Sequence, residues 1–199
     1  MYESGDYEID QSLRFEDGSD AYLSFTPAAA GNRRTWTWSA WVKRGNLTQS
    51  SLFATNGGGS DALYTRITFH DNDSIMVTGN NTVWKLTDGT QRFSDPSAWY
   101  HIVVVLDTTD STAANRLKIY VNGSILTSFS HNNAPDENEE LGINNATQHH
   151  LGSAGNANSP TVELDGYLAE VNFIDGTALT PASFGETDNT HGHWKPKKY

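Results

Sequence analysis

The residues best suited to chemistry are carboxylates, imidazoles and aromatics in a few short groups. Glu163 and Asp165 stand two positions apart, so in a strand they share one face with Tyr167. Carboxylates paired across a sugar–sugar bond are the machinery of glycoside hydrolysis. The next carboxylate, Glu170, falls on the opposite face by the same alternation. A second group suits sugar binding. Tyr64, Arg66 and His70 share the polar face of one strand-like segment, and Trp84 lies on a nearby one among polar neighbours. Aromatic faces stack on sugar rings while polar groups fix the hydroxyls. Packing on the second face of a curved sheet is the plainer account of Tyr64 and Trp84.

Metal-binding patterns are sparser. Asp71-Asn72-Asp73, Asp107-Thr108-Thr109-Asp110 and the run Asp136–Glu140 are rich in oxygen. A hard cation needs several converging oxygens, and none of these segments specifies convergence. The first two are explained as turns and the third as a solvated loop. His149-His150 would point to opposite faces of a strand. His191-Gly192-His193 could chelate on one face but shows no third ligand, so solvated tail residues are the plainer reading. The chain ends on Lys195, Lys197, Lys198 and Tyr199, a basic patch that could dock onto an acidic neighbour in an assembly or could be a solvated end.

The elements that must position these groups read as strands throughout. Ser12–Glu16 and Ala21–Phe25 flank Asp17-Gly18, a hairpin signal. In Thr35–Lys43 the residues Trp36, Trp38, Ala40 and Val42 share one face, and Trp41 stands on the polar one as a second, shallower packing surface. Ser51–Ala54, Leu63–His70, Ile75–Thr78 and Val83–Leu86 form a meander around a glycine-rich loop at 56–60 and turns at 71–73 and 80–81. Trp99–Leu106 is apolar on both faces, which marks a central strand covered on both sides. Arg116–Val121 ends in Asn122-Gly123, the strongest hairpin turn of the chain, and Ile125–Phe129 returns from it. A polar loop from Asn132 to Ser159 is interrupted by a short strand near His150–Gly152. Leu164–Ile174 closes the pattern, with Ala169, Val171 and Phe173 expected inward. Thr180 and Pro181 start one helical turn that ends by about residue 185.

No segment carries a sustained helical period. The expected fold is therefore all-β, a two-sheet antiparallel jelly-roll sandwich over residues 12–185, with an N-terminal extension at 1–11 and a polar tail at 186–199. Six Trp, eight Tyr and eight Phe predict an aromatic core, since each ring buries ~150–250 Å². The net charge of −11 argues against nucleic acid, which needs a basic surface, and against an electrostatic hold on anionic membranes. The absence of cysteine removes thiolate metal sites, thiol catalysis and disulfides. The longest apolar run, Ile102–Leu106, is far short of the ~20 residues a membrane span needs. The start, Met1–Asp10, lacks the basic and apolar regions of a signal peptide.

Three segments in order resemble the laminin-G/concanavalin-A-like superfamily: Thr35–Lys43, Trp99–Asp107 with Leu117–Gly123, and Leu164–Val171. The resemblance implies the same sandwich. That superfamily includes laminarinase-like hydrolases, whose strand carries Glu-x-Asp-x-x-Glu. Here Glu163 and Asp165 start such a motif, and Leu168 stands where its third carboxylate would be. Hydrolase activity is therefore the weakest alternative. Calcium at loop edges in relatives makes Asp107 the one metal candidate, and no other cofactor is implied. Ser12–Gly45 and Gly166–Tyr199 more narrowly resemble domains in tail-fibre-like and capsid-associated proteins of marine bacteriophages. That implies a non-enzymatic virion protein, found in the particle, decorating capsid or fibre. Its expected partners are other virion proteins, host-surface polysaccharide and further copies of itself, with no nucleic acid and no membrane insertion. A free carbohydrate-binding module is the alternative.

Overall fold

The computed structural model describes residues 7–55, 64–79, 82–156 and 159–199. The loop at 56–60, Leu63 and the turn at 80–81 lie outside that set, as do the first residues of the N-terminal extension.

Two antiparallel sheets form the sandwich. The first runs β1 (Leu13–Phe15), β15 (Gly166–Asp175), β3 (Thr35–Arg44), β8 (Tyr100–Asp107), β9 (Leu117–Val121) and β10 (Ser124–Ile125). The second runs β11 (Phe129–Asn132), β7 (Thr82–Thr87), β6 (Ile75–Gly79), β5 (Thr65–Phe69), β4 (Ser50–Thr55), β12 (His149–Leu151) and β2 (Leu23–Phe25). Two small hairpins complete it, β13 (Ala154–Asn156) with β14 (Ser159–Thr161) and β16 (Gly185–Thr187) with β17 (Trp194–Pro196). There is no α-helix among the described residues. Short 3-10 turns occur at Asp17–Ser19, Ala113–Asn115 and Pro181–Ser183. The last starts with Pro181 after Thr180 as expected, though the Thr180 hydroxyl makes no cap bond.

The core follows from alternation. Trp36, Trp38, Ala40 and Val42 of β3 are fully buried and pair with Leu106, Val104, Ile102 and Tyr100 of β8. Phe53, Ile67, Phe69, Ile75, Val77 and Trp84 face them from the second sheet. Buried Arg44 ties the end of β3 to the meander: it pairs with Asp73 at 2.9 Å, donates to the Phe93 and Thr48 carbonyls and lies 4.5 Å over the Phe69 ring. The outer face of β8 is also buried. Val103 and Val105 pack with Phe184, Tyr120, Ile174 and Leu179, so residues from the chain's C-terminal region cover the face that the sequence required to be covered.

Three expectations fail for long-range reasons. β1 and β2 are not a hairpin: β1 pairs with β15 and β2 with β12, so the Asp17–Ser19 turn carries the chain from one sheet to the other. Ile125–Phe129 likewise splits, with β10 in the first sheet and β11 in the second. In β15 a bulge sets Glu170 and Val171 against Ala40 alone, with Glu170 at φ 47. Leu168 is therefore the core residue, Ala169 opposes Trp41 on the outer face, and Val171 is exposed, while Phe173 packs on the core as expected.

Candidate functional site

The outer face of the first sheet carries a cleft of about 930 Å³. Its floor is Trp41 from β3, Ala169 from β15 and Trp99 from the residue before β8. One wall is the N-terminal segment Tyr7–Ser12, and the other is the tail from Asp188 to Pro196. Tyr7 donates its hydroxyl to Glu170 Oε1 at 2.8 Å, so the β15 bulge is what pins the N-terminal wall.

The tail wall is anchored by a ring stack. Trp41 stacks on His101 at 4.9 Å, and His101 stacks on Trp194 at 5.9 Å. Trp194 Nε1 donates to His101 Nδ1 at 2.9 Å, and His101 Nε2 lies 2.9 Å from Ser39 Oγ. An indole nitrogen only donates, so Nδ1 accepts and Nε2 carries the proton. Burial pushes the His101 imidazole down to about 4, which keeps it neutral. A Cβ at Gly123 or Gly185 would stand 2.5 Å from the Trp194 ring, so both glycines make room for the indole. Trp99 and Trp194 remain partly exposed beside Glu8, Asp10 and Gln11. The arrangement offers flat apolar surface rimmed by carboxylates and an amide, which suits a polyhydroxylated ring.

The sequence-predicted groups land elsewhere. The Arg66 guanidinium lies 5.1 Å from the Tyr64 ring and Nε donates to Thr78 Oγ1 at 3.4 Å, on the outer face of the other sheet. Burial raises the Tyr64 hydroxyl's pKa. His70, four residues along from Arg66, is roughly 13 Å away by strand geometry, and its amide closes a turn onto Ser74. Trp84 is a correction: its ring is 3% exposed, packs against Gly79 and offers no face to a ligand.

Asp107 Oδ1 accepts from the Thr109 amide and hydroxyl and from Thr35, so the turn itself uses the oxygen considered for calcium. The acidic run anchors its loop, with Glu140 pairing Arg33 and Arg34, and Glu137 pairing Arg116. His149 and His150 are both buried and point apart: His149 stacks on Phe25 and accepts from the Asn144 amide, and His150 packs on Tyr22.

The basic end packs against its own domain. Lys195 lies 3.4 Å from Asp188 and 3.8 Å from Glu186, Lys197 bonds to the Ala182 and Phe184 carbonyls, and the Tyr199 ring lies 4.9 Å from that of Phe184. Lys197, Lys198 and Tyr199 are nonetheless exposed. Asp165 sits 2.5 Å from Arg14, and Leu168 is buried in the core against Val42.

The family description "Concanavalin A-like lectin/glucanases superfamily" matches residues 17–183. The chain belongs to that superfamily. No curated protein sequence matches it. Among solved structures it is similar to a native heptameric SAP-like pentraxin from Limulus polyphemus (TM-score 0.56, 15% identity, 81% of this chain and 72% of that one). It is also similar to a Ruminococcus gnavus IT-sialidase CBM40 bound to α2,3-sialyllactose (TM-score 0.54, 12% identity, 82% and 96%). A third is domain 4 of AbnA, a GH43 extracellular arabinanase from Geobacillus stearothermophilus, in complex with arabinotriose (TM-score 0.51, 20% identity, 76% and 65%). At these identities the likeness is one of fold. Both walls of the cleft, Tyr7–Ser12 and the tail from Asp188, lie outside the residues that match the superfamily. Sequence reading placed Trp41 on an outer packing surface but passed over Trp99 and Trp194. The signal was the second apolar face of β8, which had to be covered by something.

Proposed function

We propose that this superfamily member is a non-catalytic glycan-binding module carried on a bacteriophage particle, with its ligand in the cleft over Trp41, Trp99 and Trp194. The observation that carries the reading is the cleft itself: partly exposed indoles rimmed by Glu8, Asp10 and Gln11. Apolar ring faces stack on the C–H faces of sugars, and carboxylates and amides accept or donate to hydroxyls. Two fold neighbours with a bound saccharide, sialyllactose in one and arabinotriose in the other, support it by analogy of fold. The absence of catalysis rests on Leu168, which puts a core hydrocarbon where a third carboxylate would stand, and on Asp165 being held by Arg14. The particle is supported by the resemblance of Ser12–Gly45 and Gly166–Tyr199 to phage structural proteins.

A glycan array tests the binding. The intact protein should retain a defined glycan class, and Trp99→Ala should weaken that signal about tenfold or more, the loss of a stacked ring being worth ~1–3 kcal/mol. A blank array with a folded protein would count against the reading. Release of reducing sugar from β-glucans would overturn the non-catalytic part. Mass spectrometry of purified virions should find the chain, and its absence from them would remove the phage placement while leaving glycan binding intact.

A further inference from the structure

The tight turn between β16 and β17 brings together three groups that the sequence shows only as two. Asp188, His191 and His193 each place a ligand atom within 4.8 Å of the others. The turn is built to hold them. Asp188 Oδ1 accepts the Thr190 amide at 2.9 Å and the His191 amide at 2.7 Å, and the Gly192 amide donates to the Asp188 carbonyl at 2.9 Å. The Asp188 amide donates to the His193 carbonyl at 2.8 Å, which closes the loop. Gly192 takes φ +73, a conformation that lets the two imidazoles lie on one side, their ring centres 5.8 Å apart.

We infer that Asp188, His191 and His193 form a binding site for a first-row transition ion of the zinc class, set in the tail wall of the cleft. Two imidazoles and one carboxylate are a zinc-type donor set. Oxygen-seeking calcium or magnesium is disfavoured by two nitrogen ligands. Tetrahedral bonds of ~2.0–2.1 Å require ligand atoms about 3.3 Å apart, so no pair has to close by more than about 1.5 Å. The His191 side chain is 62% exposed, and its Nδ1 already lies 3.2 Å from Asp188 Oδ1. Lys195 Nζ, 3.4 Å from Asp188 Oδ2, is the resident cation. The ion takes Oδ2, and Lys195 swings to Glu186, which it already approaches at 3.8 Å. Three protein ligands leave a position open. All three line the cleft, so that position lies at the cleft wall. The site stands whether or not the cleft binds a glycan.

The test uses the untagged full chain with zinc or cobalt chloride alone. Equilibrium dialysis should give one equivalent of bound zinc, and cobalt should give the visible absorption of a low-coordinate ion. His191→Gln, His193→Gln and Asp188→Asn should each weaken binding by about tenfold or more, with thermal unfolding of the metal-free proteins little changed. Asp188→Asn keeps the oxygen that accepts the turn amides, so it separates ligation from folding. Absence of stoichiometric zinc, or binding that survives all three substitutions, would overturn the assignment.

Discussion

His101 is held by two bonds of opposite sense, one accepted from Trp194 at Nδ1 and one donated to Ser39 from Nε2, and the first requires a neutral ring. Its ordinary pKa of 6.5 falls to about 4 because burial penalises the charge. A histidine depressed in the folded state contributes stability that is complete above pH 6.5 and is lost as pH falls through the window to 4. The span of about 2.5 units corresponds to ~3 kcal/mol. His149 and His150 are lowered by burial as well and act with the same sign. Urea unfolding at pH 7 and pH 4 should therefore show a large acid loss, and His101→Gln should remove a substantial part of it. An equal acid loss in wild type and variant would show that buried His101 is not its source. Trp84 makes the complementary point. Buried at 3% exposure, it should cost ~3–5 kcal/mol when replaced by Ala, read as a lower urea midpoint, with the specificity of any glycan bound by the surviving fold unchanged.

At the level of elements, the tail hairpin and the β15 bulge shape the cleft, and each can be perturbed separately. Gly185→Ala puts a methyl 2.5 Å from the Trp194 indole in a backbone that alanine accepts. It should expel the indole, cost ~1–3 kcal/mol and speed proteolysis between β16 and β17; unchanged proteolysis would mean that Trp194 is not the anchor. Tyr7→Phe removes the bond to Glu170 and should speed amide exchange over residues 7–12 while leaving the sandwich protected. Strands β3 and β8 were readable in the sequence because alternation reports burial locally. The pairing of β1 and β2 and the interior of β15 were not. Asp17-Gly18 states that the chain turns, but Gly166 and His149 decide which sheet each arm joins. The bulge at Glu170 shifts the face of each residue after it, and no local pattern announces a residue left without a partner.

For the whole molecule, the superfamily sandwich was legible because three separated segments agree and because its aromatic core follows from one strand, β3. The cleft was not, since its walls come from opposite ends of the chain and meet only after folding. Asp188, by contrast, is close in sequence to His191 and His193, and only the geometry of the turn makes it their partner. The central claim concerns this composite surface. Titration of an array-selected oligosaccharide into wild type and Trp99→Ala, with thermal unfolding as the control for folding, tests it most directly. The account predicts saturable binding by wild type and about tenfold or greater loss in a folded Trp99→Ala protein. Equal affinity in the two proteins would contradict it and place the ligand elsewhere on the sandwich.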